Sequence, residues 1–422
     1  MDFLADLRAR GLVHDSTDPA VLAARLAEGP ISIYVGFDPT ADSLHVGHLL
    51  GQFTLRRFQL AGHRPFALAG GATGMVGDPS GKSEERNLLD AETLRHNVER
   101  IEGQLQRILD FEPGPCGATL VNNFDWTAPV GILEFLRDVG KHVTVNQMMA
   151  KDSVRSRMEG TAGISYTEFS YMLLQANDFR HLCQHHGVEM QAGGSDQWGN
   201  ITQGIDLIRR TLGRSAFGLT WPLLTKADGT KFGKSADGAV WLDPQRTSPY
   251  QFFQFWMGAD DADVGRLLRQ FTFLPGEETD AVIADHLAAP EKRNAQRRLA
   301  QEVTRLVHGP DQTDAVEAAA RIVFGEDPRD ATAAVLEALA AELPSTVVPE
   351  LPVDLSRLLV DIGIAGSLSD ARRGLQQRAF AVNGTKVTPE HAIAASDLLR
   401  GRFLMVSKGR KTHHIVEIAD RS

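Results

Sequence analysis

The sequence predicts an α/β protein with a parallel sheet, followed by a mainly helical region and a small α+β module. Residues 31–37 alternate as a strand does and lead through a turn into a helix near His45, and residues 188–192 alternate again. Residues from about 245 to 343 carry long runs of Ala, Leu, Arg and Glu, which favour helix. An Asn-Gly pair at 383–384 is typical of a hairpin turn.

The first element is a strand, a turn and an amphipathic helix. In the helix, apolar residues recur over 46–53 at spacings of three and four, and Gly62 ends it. The apolar stripe of this helix is expected to pack against a sheet. Because side chains of a strand alternate between its two faces, the preceding strand presents one set together: Tyr34, Gly36 and Asp38.

The start of this helix has the chemistry of a phosphate site. A helix amino terminus leaves backbone N–H groups unpaired and carries partial positive charge. His45 and His48 add donors, and Gly47 allows a nucleotide to approach closely. Taken alone, His-x-Gly-His is more typical of capping or surface histidines.

A second motif lies in residues 227–238, where glycines and aspartates favour a loop that can close. Two lysines and a serine hydroxyl there could neutralise charge on a departing pyrophosphate, which is electrostatic catalysis: Lys231, Lys234 and Ser235. The alternative is a solvated basic loop. The two motifs together favour a nucleotide site over either separate explanation.

The helix predicted over 167–179 has an apolar stripe and a polar stripe. The apolar stripe consists of Phe169, Met172, Leu173 and Ala176, and the polar stripe of Tyr171, Gln175 and Asp178. A phenol, an amide and a carboxylate in line suit a zwitterionic amino acid with a polar tip. A polar face turned to solvent is the alternative.

The strand predicted over 188–192 ends in two glycines. Gln191 should point away from Met190, and Ser195 or Asp196 should cap the helix that follows. A carboxylate after glycines at a strand end also suggests a ribose contact. Capping and ribose binding can coexist at this position.

The segment 77–83 invites a rival interpretation as the phosphate-binding loop of a kinase or another nucleotide hydrolase. That motif requires four residues between its first glycine and Gly-Lys-Ser. Gly77 and Gly81 enclose three, and the required position holds Val76. The spacing excludes this motif.

Composition indicates a multidomain enzyme with a basic tail. The chain has 422 residues, is 42% hydrophobic and carries a net charge of −10. It has no stretch of membrane-spanning length and no apolar leader, so the cytoplasm is expected. Cys116 and Cys183 form no paired framework and no zinc-type cluster, and no metal site is expected.

The tail, residues 355–422, contains 11 Lys/Arg and 6 Asp/Glu, a net +5, which leaves −15 for the rest of the chain. Ser367, with Asp370 three residues later, predicts a capped helix ahead of the hairpin turn. Clustered arginines are the expected footprint of a nucleic-acid partner: Arg372, Arg373 and Arg378. Composition alone would also fit a solvated basic face.

The motifs as a set resemble a known family. Residues 45–48 and 231–235 are similar to the two signatures of class I aminoacyl-tRNA synthetases. Four further blocks narrow the resemblance to bacterial-type tyrosyl-tRNA synthetases, from about residue 1 to the end: residues 34–40, 70–82, 171–178 and 191–200.

The resemblance implies a domain plan. Residues 1–225 would form a Rossmann-like catalytic domain with a two-fold interface near 128–158, giving a homodimer. Residues 226–343 would hold the signature loop and an α-helical anticodon-recognition domain. A linker at 344–354, marked by three prolines, would precede an S4-like RNA-binding domain at 355–422. An apolar group in the interface region would equally suit a buried core: Val143, Val145, Met148 and Met149.

The resemblance also implies a reaction: ATP and L-tyrosine form tyrosyl-adenylate and pyrophosphate, and tyrosine then passes to the 3′-terminal adenosine of tRNA(Tyr). Tyrosine would be bound by Tyr34, Asp78, Tyr171, Gln175, Asp178 and Gln191. ATP and the adenylate would be bound by Gly36, Asp38, Gly47, His48, Gly194, Asp196, Gln197 and Lys234. Catalysis would depend on Thr40, His45, His48, Lys82, Arg86, Lys231, Lys234 and Ser235.

Mg²⁺ would be bound through the ATP phosphates. Phenylalanine should be rejected, because it would leave Tyr34 and Asp178 buried without a partner. A small nucleotidyltransferase, an RNA-binding protein without catalysis and a tryptophan enzyme are the alternatives. The basic tail disfavours the nucleotidyltransferase, and the intact signatures disfavour the protein without catalysis. Tyr34 and Asp178, both suited to a phenol, disfavour the tryptophan enzyme. Gly51 departs from relatives that carry a side chain at this position, so nucleotide affinity could shift.

Overall fold

The computed structural model describes residues 2–80, 89–160, 163–225, 229, 232–235, 238–349, 354–409 and 412–419, and only the backbone of Lys234 and Ser235. The chain divides into two compact units. Unit 1 comprises 1–247 and 259–299, and unit 2 comprises 248–258 and 300–422. These units differ in extent from the predicted domain ranges.

The helices of the described residues are α1 Phe3–Ala9, α2 Pro19–Glu28, α3 Val46–Leu60, α4 Ala91–Ile108, α5 Phe124–Thr127, α6 Ile132–Asp138, α7 Val145–Met149, α8 Asp152–Glu159, α9 Tyr166–His186, α10 Trp198–Leu212, α11 Pro249–Met257, α12 Asp261–Phe271, α13 Gly276–Ala288, α14 Asn294–His308, α15 Pro310–Val323, α16 Ala333–Glu342, α17 Leu355–Asp361 and α18 Leu368–Gln376. None of them is long and apolar enough to cross a membrane.

The strands are β1 Ser32–Phe37, β2 Arg64–Ala69, β3 Thr119–Asn122, β4 Met190–Gly194, β5 Phe217–Trp221, β6 Lys234–Ser235, β7 Gly238–Ala239, β8 Ser345–Val348, β9 Phe380–Val382, β10 Thr385–Lys386, β11 Phe403–Lys408 and β12 Thr412–Ile418.

Unit 1 is built on a parallel sheet in the order β3-β2-β1-β4-β5. The chain leaves β1 toward β2 and β3 on one side, and β4 and β5 lie on the other, so the direction of winding reverses between β1 and β4. In α/β folds of this type, ligands bind outside the carboxyl ends of the strands at that reversal. The predicted α/β class with a Rossmann-like sheet is confirmed.

Strand β1 is buried along nearly all of its length, so the alternation seen in its sequence does not mark a solvent face. Helices cover both faces of a parallel sheet, which explains this burial. Tyr34 packs with Phe66, Leu68 and Phe179 in a core between the sheet and α9. Gly36 is the exposed position of the strand.

Unit 2 has an α+β structure, in which a sheet in the order β10-β9-β11-β12-β8 separates two hydrophobic cores. Phe403 and Met405 of β11 belong to a core with residues of α15 and α16. The alternate residues Leu404 and Val406 belong to a second core with residues of α17 and α18. Successive side chains of a strand point to opposite faces, so one strand serves both cores.

Two local predictions in unit 2 are confirmed. The Ser367 side chain caps α18 by accepting the Asp370 N–H at 3.2 Å. Asn383 and Gly384 join β9 to β10 with positive φ values of 47° and 77°, as a two-residue hairpin turn requires.

The range 344–354 differs from the predicted linker, because it contains β8. This strand pairs in parallel with β12, and Ile415 N–H donates to Pro344 O at 2.9 Å. Short strands flanked by proline are found at sheet edges, which is the place of β8 in the sheet.

The apolar group near 128–158 separates into two sets. Val143 and Met148 are buried in a core with residues of α9. Val145 and Met149 are exposed, so the alternative of a buried core holds for only two of the four residues. Helix α6 adds further exposed apolar side chains to the surface of unit 1: Ile132, Leu133 and Leu136.

Candidate active site

A cavity of about 650 Å³ opens at the carboxyl ends of β1 and β4 in unit 1. Its volume is typical of a site for a small molecule or nucleotide. It is lined by every described residue predicted to bind tyrosine: Tyr34, Asp78, Tyr171, Gln175, Asp178 and Gln191. It is also lined by further residues predicted for the nucleotide and its phosphates: Gly36, Asp38, Thr40, His45, Gly47, His48, Gly194, Asp196 and Gln197.

Tyr34 and Gln191 lie side by side on the paired strands β1 and β4. The Tyr34 hydroxyl and Gln191 Oε1 are both buried and have no hydrogen-bond partner among the described residues. An unpaired buried polar atom costs about 1 to 3 kcal/mol. Two such atoms in one cavity indicate a place for a polar group of a ligand.

Asp178, on α9, is buried at the same end of the cavity. Its Oδ1 accepts from Trp126 Nε1 at 2.8 Å, and its Oδ2 accepts from Asn123 Nδ2 at 2.9 Å. These two donors fix the plane of the carboxyl group. Each oxygen keeps a second lone pair that a ligand hydroxyl could use.

Burial raises the pKa of Asp178 to about 7, although its hydrogen bonds to Asn123 and Trp126 act in the opposite direction. Burial also raises the pKa of Tyr34, and the nearby Asp178 carboxylate adds to that effect. A phenol that stays protonated beside a carboxyl group of raised pKa can recognise a neutral hydroxyl by donating to it and accepting from it.

Asp38 is held between two hydroxyl groups. Tyr171 Oη donates to Asp38 Oδ2 at 2.9 Å, and Thr73 Oγ1 donates to Asp38 Oδ1 at 2.8 Å. Asn123 Nδ2 in turn donates to Thr73 Oγ1 at 3.0 Å. The Asp38 and Asp178 carboxylates therefore belong to one network through Thr73 and Asn123.

Asp78 and Gln175 lie in a second chain of hydrogen bonds. Gln197 Nε2 donates to Asp78 Oδ2 at 2.7 Å, and Gln175 Nε2 donates to Gln197 Oε1 at 3.2 Å. Asn200 Nδ2 donates to Gln175 Oε1 at 2.9 Å. Asp78, Gln175 and Gln197 all line the cavity, and a carboxylate beside amide oxygens suits an ammonium group.

The helix start at α3 is organised by its own histidines. His45 Nδ1 accepts from the Gly47 N–H at 3.0 Å, and His48 Nδ1 accepts from the His45 N–H at 3.1 Å. Both rings are therefore capping groups, as the simpler explanation of the motif held. Since Nδ1 accepts in each, the neutral ring carries its proton on Nε2, which makes Nε2 a donor.

Gly47 is required by close approach of the His45 ring. A Cβ atom at this position would lie 2.8 Å from His45 Cε1 and 3.0 Å from His45 Nδ1. Real Cβ contacts are not that short, so any side chain would displace the ring from its cap. The glycine therefore permits the histidine arrangement as well as access to the helix end.

The predicted cap at Ser195 or Asp196 is wrong. Residues 195–197 form a turn of 3-10 helix, and within the described residues neither that turn nor α10 has a side-chain cap hydrogen bond. The extra turn moves Ser195 and Asp196 away from the capping position, which falls at Gln197. Asp196 lines the cavity next to Gly194.

Five of the predicted catalytic residues are described partly or not at all. Lys82, Arg86 and Lys231 lie outside the described residues. The backbone of Lys234 and Ser235 forms β6, which pairs with β7. Their predicted roles stay predictions.

Three residues that hold the two carboxylates were not predicted from the sequence. Asn123 follows β3 directly, and Trp126 lies three residues further on in α5. Thr73 lies in a short turn after β2. A buried asparagine after a strand is a possible signal, but Trp126 and Asn123 act on Asp178 from 52 and 55 positions away in the chain, a pairing that local patterns do not contain.

The family models that match the chain cover both units. Residues 26–325 match the model for class I tRNA synthetases of the tryptophan and tyrosine type. Residues 335–416 match the model for the C-terminal domain of tyrosine–tRNA ligases.

Full-length relatives agree with these models. The chain is 54% identical over 422 residues to a tyrosine–tRNA ligase of Anaeromyxobacter dehalogenans, with 99% of each chain covered. It is 51% identical over 421 residues to that of Geobacillus stearothermophilus, with 99% of this chain and 100% of the relative covered. A truncated mitochondrial tyrosyl-tRNA synthetase from Aspergillus nidulans has a similar structure, with a TM-score of 0.70 at 33% identity, covering 76% of this chain and 94% of that one.

Proposed function

Since the chain belongs to the tyrosine–tRNA ligase family of class I aminoacyl-tRNA synthetases, we propose that its cavity in unit 1 binds L-tyrosine at the inner end and ATP along the start of α3. The enzyme activates L-tyrosine with ATP to form tyrosyl-adenylate and pyrophosphate. It then transfers tyrosine to the 3′-terminal adenosine of tRNA(Tyr).

The observation that carries the tyrosine assignment is the buried Tyr34 hydroxyl beside the Asp178 carboxyl. The substrate phenol would donate to Asp178 and accept from Tyr34, which supplies the missing partner of the Tyr34 hydroxyl. Phenylalanine would leave both groups unpaired. At the other end of the amino acid, Asp78, Tyr171 and Gln175 would accept hydrogen bonds from its ammonium group.

The nucleotide is proposed to lie across the glycines of α3 and β4. Its phosphates would face the amino terminus of α3, where backbone N–H groups and the two histidine rings favour negative charge. Asp196 and the Gly194 backbone would bind the ribose, and Gln191 and Gln197 would lie beside the reacting carboxylate. Gly36 leaves room above the strand for this chain of atoms.

In the first step the tyrosine carboxylate attacks the α-phosphorus, and the bond to the bridging oxygen of pyrophosphate breaks. No side chain has to act as a strong base, because the carboxylate is already ionised. The rate comes from alignment and from stabilisation of phosphate charge. We assign this stabilisation to Thr40, His45, His48, Lys82, Arg86, Lys231, Lys234 and Ser235.

Magnesium is proposed to be bound through the ATP phosphates, since Mg²⁺ keeps several waters and is commonly held by substrate phosphates. In the part of the chain that the structure describes, no three His, Cys, Asp or Glu side chains are grouped as a metal site. The ion would add positive charge to the departing pyrophosphate.

Unit 2 is proposed to bind tRNA(Tyr), with its helices reading the anticodon end and the S4-like part contacting the backbone. Arg372, Arg373 and Arg378 are exposed on or just after α18 and can reach phosphates. We also propose a homodimer through the surface of α6 and α7, where Leu133 is 79% and Ile132 69% exposed. The cytoplasm, where tRNA is charged for translation, is the proposed location.

Pyrophosphate exchange tests the proposal when it is measured with each of the twenty amino acids separately. Tyrosine should exceed phenylalanine by a factor of about 10⁴ to 10⁵, a discrimination established for tyrosyl-tRNA synthetases as a family rather than calculated from this cavity. Exchange that is as fast with tryptophan or phenylalanine as with tyrosine would refute the assignment of Tyr34 and Asp178.

A further inference from the structure

The segment that follows β7 is joined to the start of α3. Val46 N–H donates to Val240 O at 2.9 Å, and Leu242 N–H donates to Leu44 O at 2.9 Å. These bonds enclose an antiparallel bridge between His45 and Trp241. Val46 is the first residue of α3, so its N–H has no partner within the helix, and Val240 supplies one.

The side chains of this bridge are also in contact. The rings of His45 and Trp241 meet edge to face, with centroids 5.9 Å apart and planes at 68°. This is a favoured geometry for two aromatic rings. Among the described residues, His45 lines the cavity and Trp241 does not. Trp241 therefore touches the proposed phosphate-binding ring from outside the site.

Trp241 is itself held in place by Arg246. The Arg246 Cζ atom lies 3.5 Å from the centre of the Trp241 ring, a stacked cation–π contact. Arg246 Nη1 also donates to Asp42 Oδ1 at 2.6 Å, and Asp42 lies three positions before His45 in the chain. The backbone N–H of Trp241 donates to Thr247 Oγ1 at 3.0 Å, which fixes the main chain from which the indole projects.

The same segment continues from the second signature. Val240 N–H donates to Gly233 O at 3.2 Å, and the antiparallel pair of strands β6 and β7 lies between these two residues in the chain. A displacement of Trp241 and its backbone would therefore move both the His45 ring and the backbone at Gly233 in the second signature. Trp241 directly follows the residue whose backbone bonds to both parts of the site, since Val240 O accepts from Val46 N–H and Val240 N–H donates to Gly233 O.

We propose that Trp241, backed by Arg246 and Asp42, is a positioning residue that fixes the orientation of the His45 ring toward the ATP phosphates. This rests on the proposed function, because His45 has to face the phosphates for its orientation to matter. The Gly47 N–H engages the Nδ1 atom of His45, and the rings of His48 and Trp241 contact the His45 ring with centroids 4.0 Å and 5.9 Å away. Of these contacts, the one with Trp241 comes from outside α3, and it limits how far the His45 ring can tilt away from the helix start.

The experiment compares Trp241→Ala and Trp241→Phe in pyrophosphate exchange, with ATP and tyrosine varied separately. A misplaced catalytic group can lower the rate by about 10- to 100-fold, so kcat/KM for ATP should fall by that factor in Trp241→Ala. Trp241→Phe keeps an aromatic edge and should lose about threefold or less. The Kd of tyrosine, measured by equilibrium dialysis without ATP, should stay within about twofold of the original value in both variants.

Arg246→Ala should lower kcat/KM for ATP by about three- to tenfold, because the indole loses its stacked partner. Arg246→Lys keeps the positive charge but not the planar stacking group, so its kcat/KM for ATP should lie between those of Arg246→Ala and the original enzyme. Arg269→Ala is the matched control, since Arg269 also makes an exposed pair with an aspartate, Asp280, on the surface of unit 1. It should leave exchange unchanged.

A double-mutant cycle with His45→Gln decides whether Trp241 acts through His45. In the His45→Gln background, Trp241→Ala should have almost no further effect, because the ring that it positions is gone. Additive losses, or an equal loss of tyrosine and ATP binding, would overturn the proposal and leave Trp241 a structural residue. If His45→Gln alone left exchange unchanged, the proposed role of His45 would fail instead, which the single variant distinguishes.

Discussion

Replacement of Asp178 by asparagine should stabilise the free enzyme at neutral and alkaline pH while it damages substrate recognition. The carboxyl group is buried, and burial raises its pKa from 3.8 to about 7. In the unfolded chain the same group has its ordinary pKa. Above pH 7 the folded protein therefore holds a buried negative charge that the unfolded chain keeps in water.

The size of this effect follows from the displacement of the pKa. A raised pKa in an acid means that stability is fully present below pH 4 and is lost as the pH rises to 7, since the folded state holds a proton that the unfolded state has released. The change from 3.8 to about 7 corresponds to about 4 kcal/mol, at 1.36 kcal/mol for each pH unit. Asparagine lacks this titration altogether.

At low pH, where Asp178 is protonated, Asp178→Asn should be the less stable protein by about 1 to 3 kcal/mol. Both oxygens of Asp178 accept hydrogen bonds, from Trp126 and Asn123, whereas the amide nitrogen of an asparagine can only donate, so one of these two donors would lose its acceptor. Because only the aspartic acid titrates, the difference in the free energy of unfolding should shift by about 4 kcal/mol in favour of Asp178→Asn between pH 4 and pH 8.

Urea unfolding of the full chain without ligands, followed by circular dichroism at several pH values, measures this difference. Asp361→Asn, at an exposed position on α17, is the control and should show no growing difference. The predicted linkage is refuted if the advantage of Asp178→Asn is constant with pH, or if it shrinks as the pH rises. Tyrosine-to-phenylalanine discrimination in pyrophosphate exchange should fall in the same variant.

Four other predictions concern separate parts of the molecule. Tyr34→Phe removes a buried hydroxyl that has no partner among the described residues, so it should stabilise the free enzyme by about 1 kcal/mol in urea unfolding and lower the preference for tyrosine at least about tenfold; a destabilised variant would show that the hydroxyl has a partner. Replacing Arg372, Arg373 and Arg378 with alanine should raise the KM for tRNA and leave pyrophosphate exchange unchanged. The slope of the logarithm of the tRNA binding constant against the logarithm of salt concentration should become shallower by about one for each phosphate that is no longer neutralised. Equal loss of exchange and tRNA charging would contradict the modular proposal. Leu133→Asp with Ile132→Asp should give a monomer in light scattering, and a persistent dimer would place the interface elsewhere. Gly51→Ala puts a Cβ 3.3 Å from Val35 Cγ1 in the wall of the cavity, closer than most Cβ contacts, so it should raise the KM for ATP about two- to fivefold, and Val35→Ala should partly reverse this; an additive loss would argue against a shared wall.

Much of the site could be predicted because its residues lie in regular local patterns. Tyr171, Gln175 and Asp178 share a face of α9 through helical spacing, and Tyr34 and Gln191 lie at strand positions whose direction alternation decides. The reversal of the sheet between β1 and β4 then brings these faces to one crevice. Local periodicity, together with the family resemblance, was enough for those residues.

The parts that could not be predicted depend on contacts between distant segments. Asn123 and Trp126 follow a four-residue strand with no strong periodicity and reach Asp178 only in the folded chain. The segment at 345–348 was predicted as linker because prolines surround it, yet pairing with β12 draws it into a sheet. The cap expected at Ser195 or Asp196 fails because a turn of 3-10 helix intervenes before α10.

The two-sided use of strand β11 in unit 2 has a consequence for exchange of parts between relatives. Its neighbouring side chains Met405 and Val406 enter different cores, one shared with α15 and α16 and one shared with α17 and α18. A transplanted tail of residues 355–422 would bring all the buried residues of the core with α17 and α18, but only the strand side of the other core, and would leave the residues of α15 and α16 behind. An exchange that preserves both cores must therefore carry helices α15 and α16 together with the sheet. The unit that can be exchanged between relatives is larger than the basic tail.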